Sequence, residues 1–211
     1  MLVIPKSFKE VMVKDYISLR PILERTYDNP FTRVIDILSV FNDRDKVLTK
    51  KPREISLIEK ELEYLFQEPS GELKQYFDIN GKSYGVVNHI NDLEAGQYIS
   101  VVTLLKDLAD NPNLSYELLH DILSCVVFPV EKDKNVLEFK ANYFRELSDD
   151  IYNHMSIEEA YPLCIFFCNL SDSLTKCTQD YLNQKLEEMT MTAEQLQSEV
   201  MKDLEKDGVG L

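Results

Sequence analysis

The chain has 211 residues, 44% of them apolar and 28% charged, with 11 Tyr, 10 Phe and no Trp; this composition excludes global disorder and supplies a sizeable core. Its net charge of −14 is unevenly placed. Residues 1–70 hold 12 basic and 12 acidic residues, so all of the imbalance, 11 basic against 25 acidic, falls on residues 71–211. That excess repels phosphate backbones, so nucleic acid is not expected along the second part, and the field suits solubility or docking on a basic partner instead.

The opening MLVIPKSFKE is broken by Pro5 and is too short in apolar residues for an export signal. No stretch reaches the roughly 18–20 apolar residues of a membrane span. The expectation is therefore a chain with no membrane contact, whose four cysteines stay reduced in a cytoplasm. Phe8 to Val13 reads as a short strand. Lys14 to Arg25 carries Tyr16, Ile17, Leu19, Ile22 and Leu23 at near-helical spacing, with Pro21 predicting a kink or an early end. Asp28-Asn29-Pro30 breaks the chain, and Phe31 to Val40 forms a second helix. Arg44, Lys46, Lys50, Lys51 and Arg53 are interleaved with Asp43, Asp45 and Glu54, which reads as a loop running into a helix rather than as a phosphate site. Arg53 to Gln67 is helical, with Ile55, Ile58, Leu62, Leu65 and Phe66 on one face, and ends at Glu68-Pro69-Ser70-Gly71.

Gln75 to Ile79 and Lys82 to Val87 flank Asn80-Gly81, the favoured pair for a tight hairpin turn because both central residues need positive φ. Such a hairpin is marginal alone and must pack on helices or on a partner. Phe8 to Val13 would add a strand to it. Helices then follow over Gly96 to Leu108, Ser115 to Val127 and Ser148 to Met155. Ser156-Ile157-Glu158-Glu159 is a capping box that opens a long helix reaching about Leu186. Thr192 caps a last amphipathic helix bearing Leu196, Val200 and Leu204. Three short words recur in order: Tyr16-Ile17-Ser18 as Tyr98-Ile99-Ser100, Asp28-Asn29-Pro30 as Asp110-Asn111-Pro112, and Asp36-Ile37-Leu38-Ser39 as Asp121-Ile122-Leu123-Ser124. They point to an internal duplication of a helix, turn, helix unit.

Chemistry-bearing patterns are scarce. His89, His120 and His154 have no His or Cys one helical turn away. Cys164 and Cys168 are one turn apart, but in Leu163-Cys164-Ile165-Phe166-Phe167-Cys168 a buried apolar role outweighs zinc. The sequence has no phosphate-binding glycine loop, no dinucleotide fingerprint and no H-E-x-x-H. Asp149-Asp150, Glu158-Glu159 and Glu187-Glu188 are adjacent pairs that diverge around a helix, which favours a solvated face over paired-carboxylate catalysis. No catalytic residue, metal or cofactor is expected.

The run Ile79-Asn80-Gly81-Lys82-Ser83-Tyr84, followed by Leu93-Glu94-Ala95-Gly96-Gln97-Tyr98-Ile99-Ser100, resembles a pattern in small structural proteins of tailed bacteriophages that infect Bacteroidetes, including crAss-like phages. The opening Ile4-Pro5-Lys6-Ser7-Phe8 and the Ile37-Leu38-Ser39 element resemble them too, over roughly residues 4–180. The resemblance implies a structural or assembly protein and carries no catalytic residue. The expectation is a mainly α protein with a small β-hairpin: a helical unit over 1–70, the hairpin and a second, related unit over 71–186, and an acidic helical arm over 187–211. It would pack against portal, tail-connector or capsid-interior proteins of the virion, as a homo-oligomer or ring, or else serve as a soluble tail-assembly chaperone in the host cytoplasm. Leu196, Val200, Leu204, Tyr76 and Tyr84 are the candidate interaction residues, since neither the hairpin nor the arm is self-sufficient.

Overall fold

The computed structural model describes residues 1–87, 92–111, 117–130 and 141–169. The chain divides into two compact units, 1–168 and 169–211, and only the first is described below. The arm over 187–211, with Leu196, Val200 and Leu204, lies outside the described residues, as do His89 and Cys177. The architecture is mainly helical with one small antiparallel sheet. The boundary expected at residue 70 falls inside the first unit.

Helix α1 spans Val13–Glu24 and α2 spans Pro30–Phe41, packed along each other. Val13, Tyr16 and Leu19 of α1 meet Val34, Ile37 and Leu38 of α2 in the buried set, the stripe that their spacing predicts. Pro21 does not end α1, which continues to Glu24. Asn29 caps α2 by accepting the Phe31 N–H at 3.0 Å, and Pro30 sits at the first helical position, where a missing N–H is harmless. The basic stretch is a loop only in part: Asp43 accepts the Asp45 N–H and starts a short helix, α3 (Arg44–Leu48), while Lys50 and Lys51 lie in the connection that runs into α4 (Pro52–Glu61), which is followed by a 3-10 turn over Glu63–Phe66.

Phe8 to Val13 is not a strand of the hairpin. Glu10 N–H reaches back to Ser7 C=O, making a 3-10 turn over Phe8–Glu10, and the Phe8 ring packs edge-on against Tyr64. Only Met12 pairs, in an isolated antiparallel bridge with Ser156. There the Val13 N–H donates to Met155 C=O at 3.0 Å and the Ile157 N–H to Val11 C=O at 2.8 Å.

The hairpin forms as its sequence dictates. Strands β1 (Tyr76–Ile79) and β2 (Lys82–Val86) are antiparallel, with Asn80 at φ 50° and Gly81 at φ 74° in the turn. A third strand, β3 (Val127–Val130), pairs with β2. Its residues overlap the end of the helix expected over Ser115 to Val127, which is instead short: α6, Leu119–Ser124. Pro129 is tolerated because β3 is an edge strand with one neighbour. Helix α5 spans Ala95–Asp110 and α7 spans Ala141–His154, the latter packed on both α6 and α1. Residues 157–168 are helical. The Ser156 hydroxyl donates to the Glu159 carboxylate at 3.2 Å at the start of that run.

The repeated words do different work in their two settings. Ile37-Leu38 and Ile122-Leu123 are buried alike. In contrast, Asn29 caps the start of α2, whereas Asn111 is the last residue of the α5 turn, giving its N–H to Asp107 C=O. Tyr16 is buried and Tyr98 is exposed.

Candidate interaction surface

Two side chains decide how the sheet is held. Register pairs Tyr76 with Gly85 and Phe77 with Tyr84, so Tyr76 and Tyr84 stand on opposite faces of the hairpin. Tyr84 is 3% exposed, stacks on Phe77 with ring centroids 6.2 Å apart, and is no contact residue for a partner. That corrects its expected role. Tyr76 is 44% exposed.

Beneath the hairpin lies Asp150 of α7. Its carboxylate accepts the Asn80 side-chain amide at 3.0 Å, the Lys82 ammonium at 2.8 Å and the Tyr84 hydroxyl at 3.1 Å. Burial pushes this carboxyl up, but the hydrogen bonds from Lys82, Asn80 and Tyr84 and the Lys82 charge outweigh it and hold it below the ordinary aspartate value. Asp150 is therefore not part of a solvated acidic face, although Asp149 beside it is exposed. The pattern offered a signal: Leu147 and Ile151 are buried on α7, Met155 just after it is buried too, and Asp150 follows Leu147 by three, on the same face. The Glu158-Glu159 pair is also engaged, with Lys9 against Glu158 and Lys74 against Glu159, while Glu187-Glu188 lies outside the described residues.

Helix α5 is docked from one end. The Gln97 side chain accepts the Glu94 N–H at 3.1 Å, closing the helix start, and turns its amide toward Val127 C=O on β3 at 3.4 Å. Gln97 and Val101, one turn apart, are buried. Tyr98, Ile99 and Val102 point elsewhere; Ile99 is 64% exposed. Spaced at i, i+1 and i+4, they form one apolar patch on a helix that its own unit uses on one side only. Periodicity marked these positions as apolar, but gave no means of separating the side that docks on β3 from the side that does not.

Among the described residues, the other titratable groups of note are His120 and the cysteines. The His120 ring lies 4.9 Å from that of Tyr152 and its Nε2 is 3.9 Å from Asp121. Cys125 is fully buried, and burial, with the nearby Asp121 charge, pushes its thiol up to about 12. Burial likewise pushes Cys164 up to about 12, whereas Cys168 is exposed, against the apolar interior role expected of it. Among the described residues no group of three His, Cys, Asp or Glu side chains is placed to hold a metal ion. Among them, too, no helix is long and apolar enough to cross a membrane. No protein-family model, curated protein or solved structure matches this chain.

Proposed function

We propose that this chain is a non-catalytic component of a bacteriophage particle, in the portal, tail connector or capsid interior, acting through protein–protein packing. The observation that carries the reading is the Tyr98, Ile99 and Val102 patch of α5, exposed while Gln97 and Val101 fix the helix to the sheet edge. An ordered apolar patch on a docked helix favours a second protein over solvent. The partner is a particle protein with an apolar groove and a basic rim, because residues 71–211 carry the whole −14. The same field disfavours nucleic acid along this part. The sequence run from Ile79 to Ser100, which resembles phage structural proteins, leads into the same helix. Copies arranged as a homo-oligomer or ring fit this role.

Mass spectrometry of purified particles tests it: stoichiometric peptides are expected, and their absence overturns the reading in favour of an assembly chaperone acting in the host cytoplasm. Ile99→Glu with Val102→Glu tests the surface. Incorporation should fall at least tenfold while the circular dichroism spectrum and thermal midpoint hold, and normal incorporation would reject α5 as the contact.

A further inference from the structure

A cleft of about 660 Å³ lies along α1 and α2, well away in sequence from α5. The volume is within the range of roughly 300–1,000 Å³ typical of ligand sites. Lys14 and Asp15 of α1, Arg25 and Tyr27 of the following linker, Asp36 of α2 and Arg44 of α3 line it, with Ile22 and Val40 as apolar contacts.

The charges in it are not equivalent. Asp36 is committed, accepting the Tyr27 hydroxyl at 3.0 Å and the Arg44 guanidinium at 2.6 Å. Asp15 accepts the Met12 N–H at 3.1 Å, closing the start of α1. Lys14 and Arg25, by contrast, make no ion pair among the described residues. The Arg25 guanidinium lies 5.4 Å over the centre of the Tyr27 ring, which orients its planar fork. Lys14 and Arg25 stand near the two ends of α1, about 16 Å apart along the axis at ~1.5 Å per residue. One small anion cannot touch both.

We propose that this cleft binds an acidic peptide segment of a partner protein, in extended conformation, with carboxylates about four residues apart. At ~3.3 Å per residue such a segment spans about 13 Å, and the acidic side chains supply the rest of the reach. One carboxylate pairs with Arg25 through the two N–H groups of the fork, and the other with the Lys14 ammonium. Ile22 and Val40 meet the apolar side chain between them. Location supports this choice of ligand: apart from Tyr152 the lining residues belong to residues 1–70, the part of the chain with no net charge, so an acidic segment is not repelled there.

This inference does not rest on the α5 surface, and its test is separate. Fluorescence anisotropy of the full chain with a fluorescein-labelled Glu-Ser-Val-Ser-Glu peptide should give saturable binding, weakened at least tenfold when both Glu are replaced by Gln. Lys14→Gln and Arg25→Gln should each weaken binding at least threefold, and the pair tenfold, with unchanged thermal unfolding. Equal binding of the Gln peptide overturns the proposal, as does no saturation by about 1 mM. Tighter binding of a labelled oligothymidine would assign the cleft to nucleic acid and overturn it too.

Discussion

The Tyr84 hydroxyl on β2 donates to the Asp150 carboxylate on α7 at 3.1 Å, joining residues 66 apart in sequence in a buried contact. Because Lys82 and Asn80 bind the same carboxylate, one side chain fixes both the turn and the inward face of the hairpin to the helical layer. Asp150→Ala leaves the Tyr84 hydroxyl buried without this acceptor. It should cost about 2–3 kcal/mol in urea unfolding, the scale of hydrogen bonds to a charged group.

The pH dependence of that anchor has a definite sign. The folded-state value of Asp150 is held below its ordinary 3.8, so the unfolded chain takes up the proton first. Its contribution is fully present above the ordinary value and is lost as pH falls through the lower, folded one. The difference in thermal midpoint between the wild type and Asp150→Asn should therefore be constant near neutrality and shrink as pH falls from the ordinary value through the lower, folded one. A difference that grows on acidification would reverse the assignment.

Two glycines separate close packing from backbone conformation. A Cβ on Gly71 would sit 2.3 Å from the Glu158 carbonyl oxygen and 3.2 Å from Pro162 Cγ, so Gly71→Ala forces a shift against the helical run 157–168. Either that run or the non-helical segment carrying Gly71 gives way, at about 1–3 kcal/mol, as overpacking costs. Gly81 has open space around it but φ +74°, so Gly81→Ala should cost about 1–2 kcal/mol through conformation alone. Replacing Gly81 by Asn, which tolerates this region, should recover part of the loss, and no substitution of that kind should rescue Gly71. Chemical denaturation of the three variants checks both.

The repeated Asp-Asn-Pro tripeptide gives an internal comparison. Asn29→Ala removes the side-chain cap of α2 and should cost about 1 kcal/mol. At Asn111 the bond that ends α5 uses the backbone N–H, which Ala retains, so Asn111→Ala should cost less than about 0.5 kcal/mol. Equal losses would show that the two tripeptides play the same part.

Thiol labelling reads the cysteine environments. Cys168 should react with a maleimide first and Cys164 more slowly, because its thiolate is disfavoured by burial. Cys125, with its thiol pushed up to about 12, should react only on unfolding. Peptide mapping of the labelled chain separates the sites.

Helices α1, α2 and α4 and the Asn80-Gly81 hairpin were legible because their signals are local: an apolar stripe, a capping Asn or a pair of residues at positive φ. Strand β3 was not. Val126 to Val130 continues the apolar run of α6, and over so short a stretch a buried strand and a helix end have the same pattern. The position of Tyr84 was illegible for a related reason: alternation separates the two faces of a hairpin but does not tell which one meets the helices. Asp150 lay within reach of periodicity along α7, but its three partners come from a segment some 70 residues earlier, and only tertiary packing unites them. The exposed side of α5 depends in turn on Gln97 finding β3, which no local pattern encodes.

The bridge between Met12 and Ser156 also sets an order of events during synthesis. Val13 and Val11 reach their final backbone partners only when Met155 and Ile157, made 142 and 146 residues later, have left the ribosome. Such a distant closure imposes a large loop entropy and slows folding. Until then the nascent chain must keep its first apolar residues from aggregating, so stalled or C-terminally nicked products ending before residue 155 should be proteolysed rather than accumulate as a stable fragment.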